Sequence, residues 1–316
     1  MTIPKESTKY PDNLTKQPLP NGIKAWEDLT IADDYMFKLV MKHQHICKHL
    51  LEIILGVKIR EIRDPETEKA MKTGFESRGI RLDVYVEDNE NTVYDVEMQV
   101  RQYPMATLGR RTRYYQSVID YGALEAGVFY NKLKKSIIIF ICPFRLFKSK
   151  RHKFTFKNIC TEDNKIELDD GASKIFLSTK GTLNDISHDV KNFLDFVDGI
   201  PVKDTWIDEV QDLITELKHT EKEKVNYMTY QMKIAEERAE AMAEGEARGE
   251  ARGEDKLSRL IAHLIEIGKN DQILSVTQSA VLRNQLYEKY SIVCKGCLST
   301  IPHPRPGGAF IFLRPG

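Results

Sequence analysis

Three polar side chains on two short segments could do chemistry together. Asp83 lies in Ile80–Val86 (IRLDVYV), and Glu97 and Gln99 lie in Val93–Arg101 (VYDVEMQVR). Both segments are rich in β-branched residues, which suit a pleated, half-buried surface. Strand side chains alternate between faces, so Asp95, Glu97 and Gln99 share one face while Tyr94, Val96, Met98 and Val100 share the other. The stretch between them, Glu87-Asp88-Asn89-Glu90-Asn91, is polar and predicts the loop of an antiparallel hairpin. If Val86 pairs with Tyr94, Asp83 falls opposite Glu97, with Cβ atoms roughly 4.5–5.5 Å apart. A slip of one residue would send the two carboxylates to opposite faces. Acids held that close repel one another unless a cation lies between them, so the pattern points to Asp83 and Glu97 sharing a divalent ion. Asp95 is expected as a solvated or outer neighbour rather than a ligand. The bland alternative keeps Asp95 and Glu97 in solvent on an exposed sheet, with Asp83 paired to Arg81 or Arg101.

The elements that must position these residues can be read around them. Residues 1–25, with Pro4, Pro11, Pro18, Pro20 and Gly22, read as a flexible arm. A helix is expected from about Ile31 to Leu55 on the rhythm of Phe37, Val40, Met41, Leu51, Ile54 and Leu55, with Thr30 and Asp33 in a capping arrangement and Gly56 as its stop. A strand is expected at Val57–Ile62, then the hairpin. A second helix follows from Met105 to Ala126, closed by Gly127, and then a doubly buried strand, Ser136–Cys142 (SIIIFIC). His152–Phe156 and Lys174–Leu177 read as further strands. The succession of helix, three strands, helix and strand predicts an α/β fold, a mixed sheet flanked by helices. Asp204 to about Gly245 reads as one long charged helix. The repeat Glu244–Glu254, with Gly245, Gly249 and Gly253, reads as a soft, solvated linker helix or hinge, because Gly in a helix costs up to ~1 kcal/mol relative to Ala. Three short helices, at Leu257–Ile267, Asp271–Val276 and Ser279–Tyr290, would form a helical appendage. The expected organisation is therefore an arm (1–25), a main domain (26–200), a charged helix and linker (201–256), a small helical module (257–290) and an irregular tail (291–316).

Composition bounds the function. The 316 residues are 41% hydrophobic and 30% charged, with 47 basic and 47 acidic side chains, so the net charge is zero. The charge is nevertheless segregated. No acid occurs between Glu97 and Asp120, where Arg101, Arg110, Arg111 and Arg113 lie, or between Lys132 and Lys157, where Lys148, Lys150, Arg151 and Lys153 lie. A basic surface beside an acidic metal site suits a polyanionic substrate. The N-terminus lacks an apolar signal region and no run approaches the ~18–20 residues of a membrane helix. Five cysteines at irregular spacing indicate reduced thiols and a cytoplasmic protein with no membrane partner. Cys294 and Cys297 with His303 make only half of a zinc-site spacing, and no GxxxxGK[ST], HExxH, GxSxG or GxGxxG motif is present.

The joint order of these pieces resembles the PD-(D/E)XK nuclease superfamily, and more closely the recombination-promoting nuclease/transposase (Rpn) family of bacteria. The likeness covers about Asp28–Lys148. It rests on Asp34-Tyr35-Met36-Phe37-Lys38, Arg81-Leu82-Asp83-Val84, Glu97-Met98-Gln99 and Arg110-Arg111-Thr112-Arg113-Tyr114-Tyr115. It implies a restriction-endonuclease-like core and cleavage of DNA phosphodiesters with Mg²⁺, or with Mn²⁺ or Ca²⁺, held by Asp83 and Glu97. It also implies a link to recombination or mobile elements. The catalytic set would be Asp83, Glu97 and Gln99, where Gln99 replaces the lysine usual in the superfamily. Lys38, Arg101 or Arg110 could supply the missing charge. Asp34 is a further candidate for the site. DNA would meet Lys38, Arg101, Arg110, Tyr114, Lys150 and Arg151. On the second helix two readings stand: Arg110 on a phosphate with Tyr114 and Gln116 lining a cleft, or Tyr114, Val118 and Tyr121 packed on the sheet with surface arginines. Cutting both strands would need two sites, so a homodimer through the C-terminal helices is expected. The alternative function is a non-catalytic DNA-binding or protein-assembly module on a decayed nuclease fold.

Overall fold

The computed structural model describes residues 23–72, 79–124 and 127–293. Most of the expected N-terminal arm, the end of the second helix at residues 125–126, most of the tail and the Cys294/Cys297/His303 group lie outside the described residues. The chain divides into two compact units, Met1–Tyr230 and Gln231–Gly316.

The first unit is a six-stranded mixed sheet between helices. Its strands are β1 (Glu66–Met71), β2 (Ile80–Glu87), β3 (Thr92–Met98), β4 (Lys135–Cys142), β5 (Lys153–Phe156) and β6 (Ala172–Ser178), in the order β1-β2-β3-β4-β6-β5. The pairs β1–β2, β2–β3 and β5–β6 are antiparallel, while β3–β4 and β4–β6 are parallel. Parallel neighbours need a crossover, and helix α3 (Met105–Ala123) provides it between β3 and β4. The strand expected at Ser136–Cys142 is thus the buried centre of the sheet, and the two strands expected after it are β5 and β6.

Each face of the sheet carries its own core. On one face Val84, Val86, Val96, Ile139 and Ile141 pack against α1 (Asp34–Met41), α2 (Gln44–Leu55), α4 (His188–Val197) and α5 (Thr205–Lys218). On the other, Leu82, Val93, Ile138 and Phe140 pack against Leu108, Tyr115, Val118 and Ile119 of α3. Helix α5 adds Ile207, Val210 and Ile214 to the first core, and Tyr227 joins them from the start of α6 (Glu221–Glu266).

Several elements differ from expectation for physical reasons. The single helix expected over 31–55 is two, because the buried positions jump five residues from Met41 to Ile46 and His43 turns extended to restore the inward face. Asp33 caps α1 by position, and its carboxylate reaches back to the Thr30 N–H at 2.7 Å. Gly56 ends α2 in the left-handed region at φ 72°. Val57–Ile62 is not a strand. Ile59 and Ile62 plug the first core from irregular backbone, and only Ile62 makes an isolated bridge, to Asp88. The first strand is instead the polar edge segment Glu66–Met71, which has one paired side and little apolar alternation. The long helix expected from Asp204 breaks at His219–Thr220, where the Trp26 indole N–H caps the Lys218 carbonyl at 3.0 Å.

Within α6 the glycine repeat is helical and solvent-exposed, with Glu244 and Arg248 paired at 2.8 Å. The expected first short helix of the appendage is continuous with α6. It packs Leu260 and Leu264 against Val276 of α7 (Ile273–Gln278) and Leu286 of α8 (Ala280–Lys289) in a small core of the second unit. Among the described residues no helix is long and apolar enough to cross a membrane.

Ile139 sits fully buried on the central strand. Ile139→Ala is expected to lower the unfolding free energy by about 2–5 kcal/mol, read from the midpoint of urea denaturation.

Candidate active site

The hairpin adopts the register that sets Asp83 against Glu97. Val84 pairs with Val96, Tyr85 with Asp95, Val86 with Tyr94 and Glu87 with Val93. The backbone ladder stops at Val84–Val96, and the next contact is of a different kind: the Asp83 N–H donates to Glu97 Oε1 at 2.9 Å. The β1–β2 ladder is interrupted at the same level. It runs through Thr67↔Val84, resumes at Lys69↔Leu82, and leaves Glu68 between them at φ 56°. Leu82 joins the core beneath α3 whereas Val84 joins the opposite core, so the alternation of β2 switches at Asp83. The switch puts Asp83 within reach of groups from both layers of helices.

Lys38 arrives from α1. Its Nζ donates to Asp34 Oδ2 at 2.8 Å and lies 3.3 Å from both Asp83 Oδ1 and Glu68 Oε1, with the side chain only 6% exposed. Burial works against its charge, but Asp83 and Asp34 outweigh it and the ammonium pKa is raised. Arg111 arrives from α3 on the other face. It donates to Glu97 Oε2 at 2.7 Å, to Gln99 Oε1 at 2.6 Å and to the Tyr115 hydroxyl at 2.9 Å, with its guanidinium carbon 4.9 Å and 5.4 Å from the ring centres of Tyr115 and Phe140. The Gln99 side-chain amide also donates to the Arg101 carbonyl, so both ends of Gln99 are fixed.

Two cations therefore face five carboxylates: Asp34, Glu68, Asp83, Asp95 and Glu97. Burial, then the charges of Glu97 and Asp34, drives the Asp83 pKa well up. Glu97 is raised by burial against the pull of Arg111. Asp95, expected in solvent or at the margin, is instead completely buried beneath α3. Neither of its oxygens meets an N–H or hydroxyl donor, and burial with the charges of Glu97 and Asp83 holds its pKa high. One oxygen of Asp34 is likewise buried and unpartnered. Orphaned anionic oxygens in surplus are what a divalent cation neutralises. Among the described residues no three His, Cys, Asp or Glu side chains form a ready metal cage. The fit is to an ion with two protein carboxylates and otherwise water or phosphate oxygens, the habit of Mg²⁺.

The remaining expected residues are spread around this centre. Arg101 is exposed, 5.1 Å above the Tyr103 ring, and Arg110 is exposed on α3. Lys150 and Arg151 are exposed just before β5, with Arg151 3.6 Å from Asp185. Register aligns Met98, Ile141 and Leu177, so the loops that follow β4 and β6, including Lys150 and Arg151, share the Gln99 end of the sheet. Lys38 is not on this surface; it belongs to the carboxylate cluster. On α3 neither reading holds whole: Tyr114 is half-buried, Val118 buried and Tyr121 exposed, while Gln116 is buried in bonds to Ser136 and Asp120. Asp83 pairs with Lys38, not with Arg81 or Arg101. Arg111 is a site residue that the sequence motifs do not single out. The signal was its place on the stripe Leu108, Arg111, Thr112, Tyr115, which turns it inward while Arg110 turns out.

The family model described as PD-(D/E)XK nuclease family transposase matches residues 31–261. No curated protein and no solved structure matches the chain significantly.

A carboxyl whose folded pKa is raised contributes most stability below its unfolded value, about 3.9 for Asp, and loses that contribution as pH climbs through the folded value. In chelator-treated protein, Asp95→Asn is expected to raise unfolding free energy at pH 7. It should also flatten the fall in stability from about pH 4 to neutrality. Denaturant titrations across that range provide the check.

Proposed function

The chain belongs to the PD-(D/E)XK nuclease family of transposases, and from that premise we propose that it is a divalent-metal-dependent DNA endonuclease acting in recombination or element mobility. The observation that carries the proposal is the meeting of Asp83 and Glu97 at the parting of β2 and β3, with Lys38 3.3 Å from the Asp83 carboxylate. Asp83 and Glu97 would hold the ion, with Mg²⁺ the best fit to so few protein oxygens. The ion, when bound, would polarise the scissile phosphate and make a coordinated water acidic enough to attack.

The chain's own residues would do the rest. Gln99, clamped between Arg111 and the Arg101 carbonyl, has no charge to offer and would orient water or a phosphate oxygen. Lys38 would supply the positive charge that the superfamily usually places at the position of Gln99. It is buried, fixed at its head by acids, and aimed at Asp83, so its charge is little screened and needs no reorganisation. Arg101, Arg110, Lys150 and Arg151 would hold the DNA backbone, with the half-buried Tyr114 lining the approach. The polyanion would bring phosphate into a site of surplus carboxylates only with the divalent ion present. For double-strand cleavage we propose a dimer through the second unit, whose exposed Leu274 and Val281 favour an apolar contact. Its place would be the cytoplasm.

Supercoiled plasmid incubated with Mg²⁺ or Mn²⁺ should be nicked, and EDTA should stop the reaction. Asp83→Asn and Glu97→Gln should abolish nicking, while Lys38→Met should slow it about 10²–10³-fold. Plasmid that merely shifts in a gel, with steep salt dependence and no nicking under any metal, would leave the non-catalytic binding module standing instead.

A further inference from the structure

Lys38 and Arg111 neutralise neighbouring carboxylates, yet they are held differently. The Lys38 side chain is 6% exposed, enclosed by Asp34, Glu68 and Asp83, with the Tyr230 ring centre 5.9 Å from its Nζ. The Arg111 side chain is 33% exposed, although its partner Glu97 is only 1% exposed. Arg111 thus has an open flank, and Lys38 has none.

Arg111 also sits on an oxygen that a divalent ion would need. Glu97 Oε1 accepts the Asp83 N–H, and Oε2 accepts Arg111. We propose that Arg111 is a placeholder cation. It holds Glu97 and Gln99 in position while no ion is bound, yields Glu97 Oε2 when a divalent ion binds, and turns its guanidinium outward to a substrate phosphate. This rests on the reading of Asp83 and Glu97 as metal ligands.

Three features carry the assignment. Glu97 has no solvent around it to screen a guanidinium and a divalent ion on the same carboxylate, so the two repel strongly there. Of the two resident cations only Arg111 can move away without unfolding its surroundings, since its backbone is fixed in α3 while its side chain borders solvent. The faces of Tyr115 and Phe140 lie along the guanidinium and can retain it as it turns. A planar guanidinium is also suited to bidentate contact with phosphate, whereas a point-like ammonium is not. Arg111 is in this sense a positioning residue: it acts through Glu97 and Gln99 until substrate is present.

The test is calorimetric titration of the full chain with Mn²⁺, without DNA. Arg111→Met is expected to bind Mn²⁺ more tightly than wild type, by roughly five- to a hundredfold. Asp83→Asn is expected not to bind it. An arginine that merely buttresses Glu97 would give the opposite sign, and equal or weaker Mn²⁺ binding by folded Arg111→Met overturns the proposal. Because that variant leaves Glu97 without its partner, a second measurement uses the wild-type chain. With ¹⁵N-labelled arginine, the Arg111 Nε resonance, identified by its loss in Arg111→Lys, should shift on titration with Mg²⁺ as the bond to Tyr115 opens. A resonance unmoved at saturating Mg²⁺ overturns the proposal. If neither wild type nor variant binds Mn²⁺, the metal-ligand reading of Asp83 and Glu97 falls, and the placeholder role falls with it.

Discussion

Like charges gathered out of water set the terms for this structure. Asp83, Glu97 and Asp95 lie within one small patch of two neighbouring strands, largely withdrawn from solvent; burial raises the proton affinity of all three, and the charge of Glu97 adds to that of Asp83 and Asp95. Such a patch persists only if the fold brings cations to it and if packing elsewhere outweighs what remains uncompensated. The arrangement of layers follows from that demand. A sheet with helices on a single face could offer a cation from one side only. Here α1 delivers Lys38 from one face and α3 delivers Arg111 from the other, each anchored by its own apolar core.

The break in the strands is the second part of the solution. An unbroken β1–β2–β3 ladder would keep Asp83 on one face for good and bury its N–H in a routine backbone bond. Instead the ladder ends at Val84–Val96, Glu68 takes a left-handed conformation unusual for a side chain of its size, and the Asp83 N–H turns to Glu97. That local irregularity lets Asp83 meet a lysine from one helical layer while remaining tied to a glutamate that faces the other. Irregular backbone of this kind is held in place because regular β1–β2 pairing continues on both sides of it, at Thr67–Val84 and at Lys69–Leu82.

What the sequence disclosed tracks how strongly burial stamps a pattern. The hairpin register was legible because Val84, Val86, Tyr94 and Val96 form one unbroken apolar face, and β4 because SIIIFIC has no polar side at all. Strand β1 was not, since an edge strand paired on one side can be written ETEKAM without cost. The division between α1 and α2 was written in the jump from Met41 to Ile46, though no proline or glycine marks it. The burial of Asp95 is illegible for a different reason. Its surroundings come from α3, which enters after the hairpin and covers it, and nothing within VYDVEMQ distinguishes a solvated aspartate from a buried one. Arg111 was hidden beside Arg110: adjacent arginines point roughly 100° apart on a helix, and only the position of Leu108 and Thr112 tells which turns inward.

The same geometry suits a glutamine at position 99, the place that the resemblance assigns to the superfamily's lysine. Gln99 offers a carbonyl oxygen to Arg111 at 2.6 Å and an amide N–H to the Arg101 carbonyl. Lysine has no acceptor, so at this position it would oppose the guanidinium rather than bind it, in a site with little water to screen the two charges. Glutamine and Arg111 are therefore a matched pair, and a cation cannot occupy position 99 while Arg111 holds Glu97. In the proposed mechanism, positive charge beside the Asp83 carboxylate would therefore come from another direction. Among the described residues, such a charge already stands on the opposite face of the sheet, where Lys38 lies against Asp83. On the proposed mechanism, Lys38 of α1 would stand in for the lysine absent from the hairpin, on the far side of the sheet from Arg111.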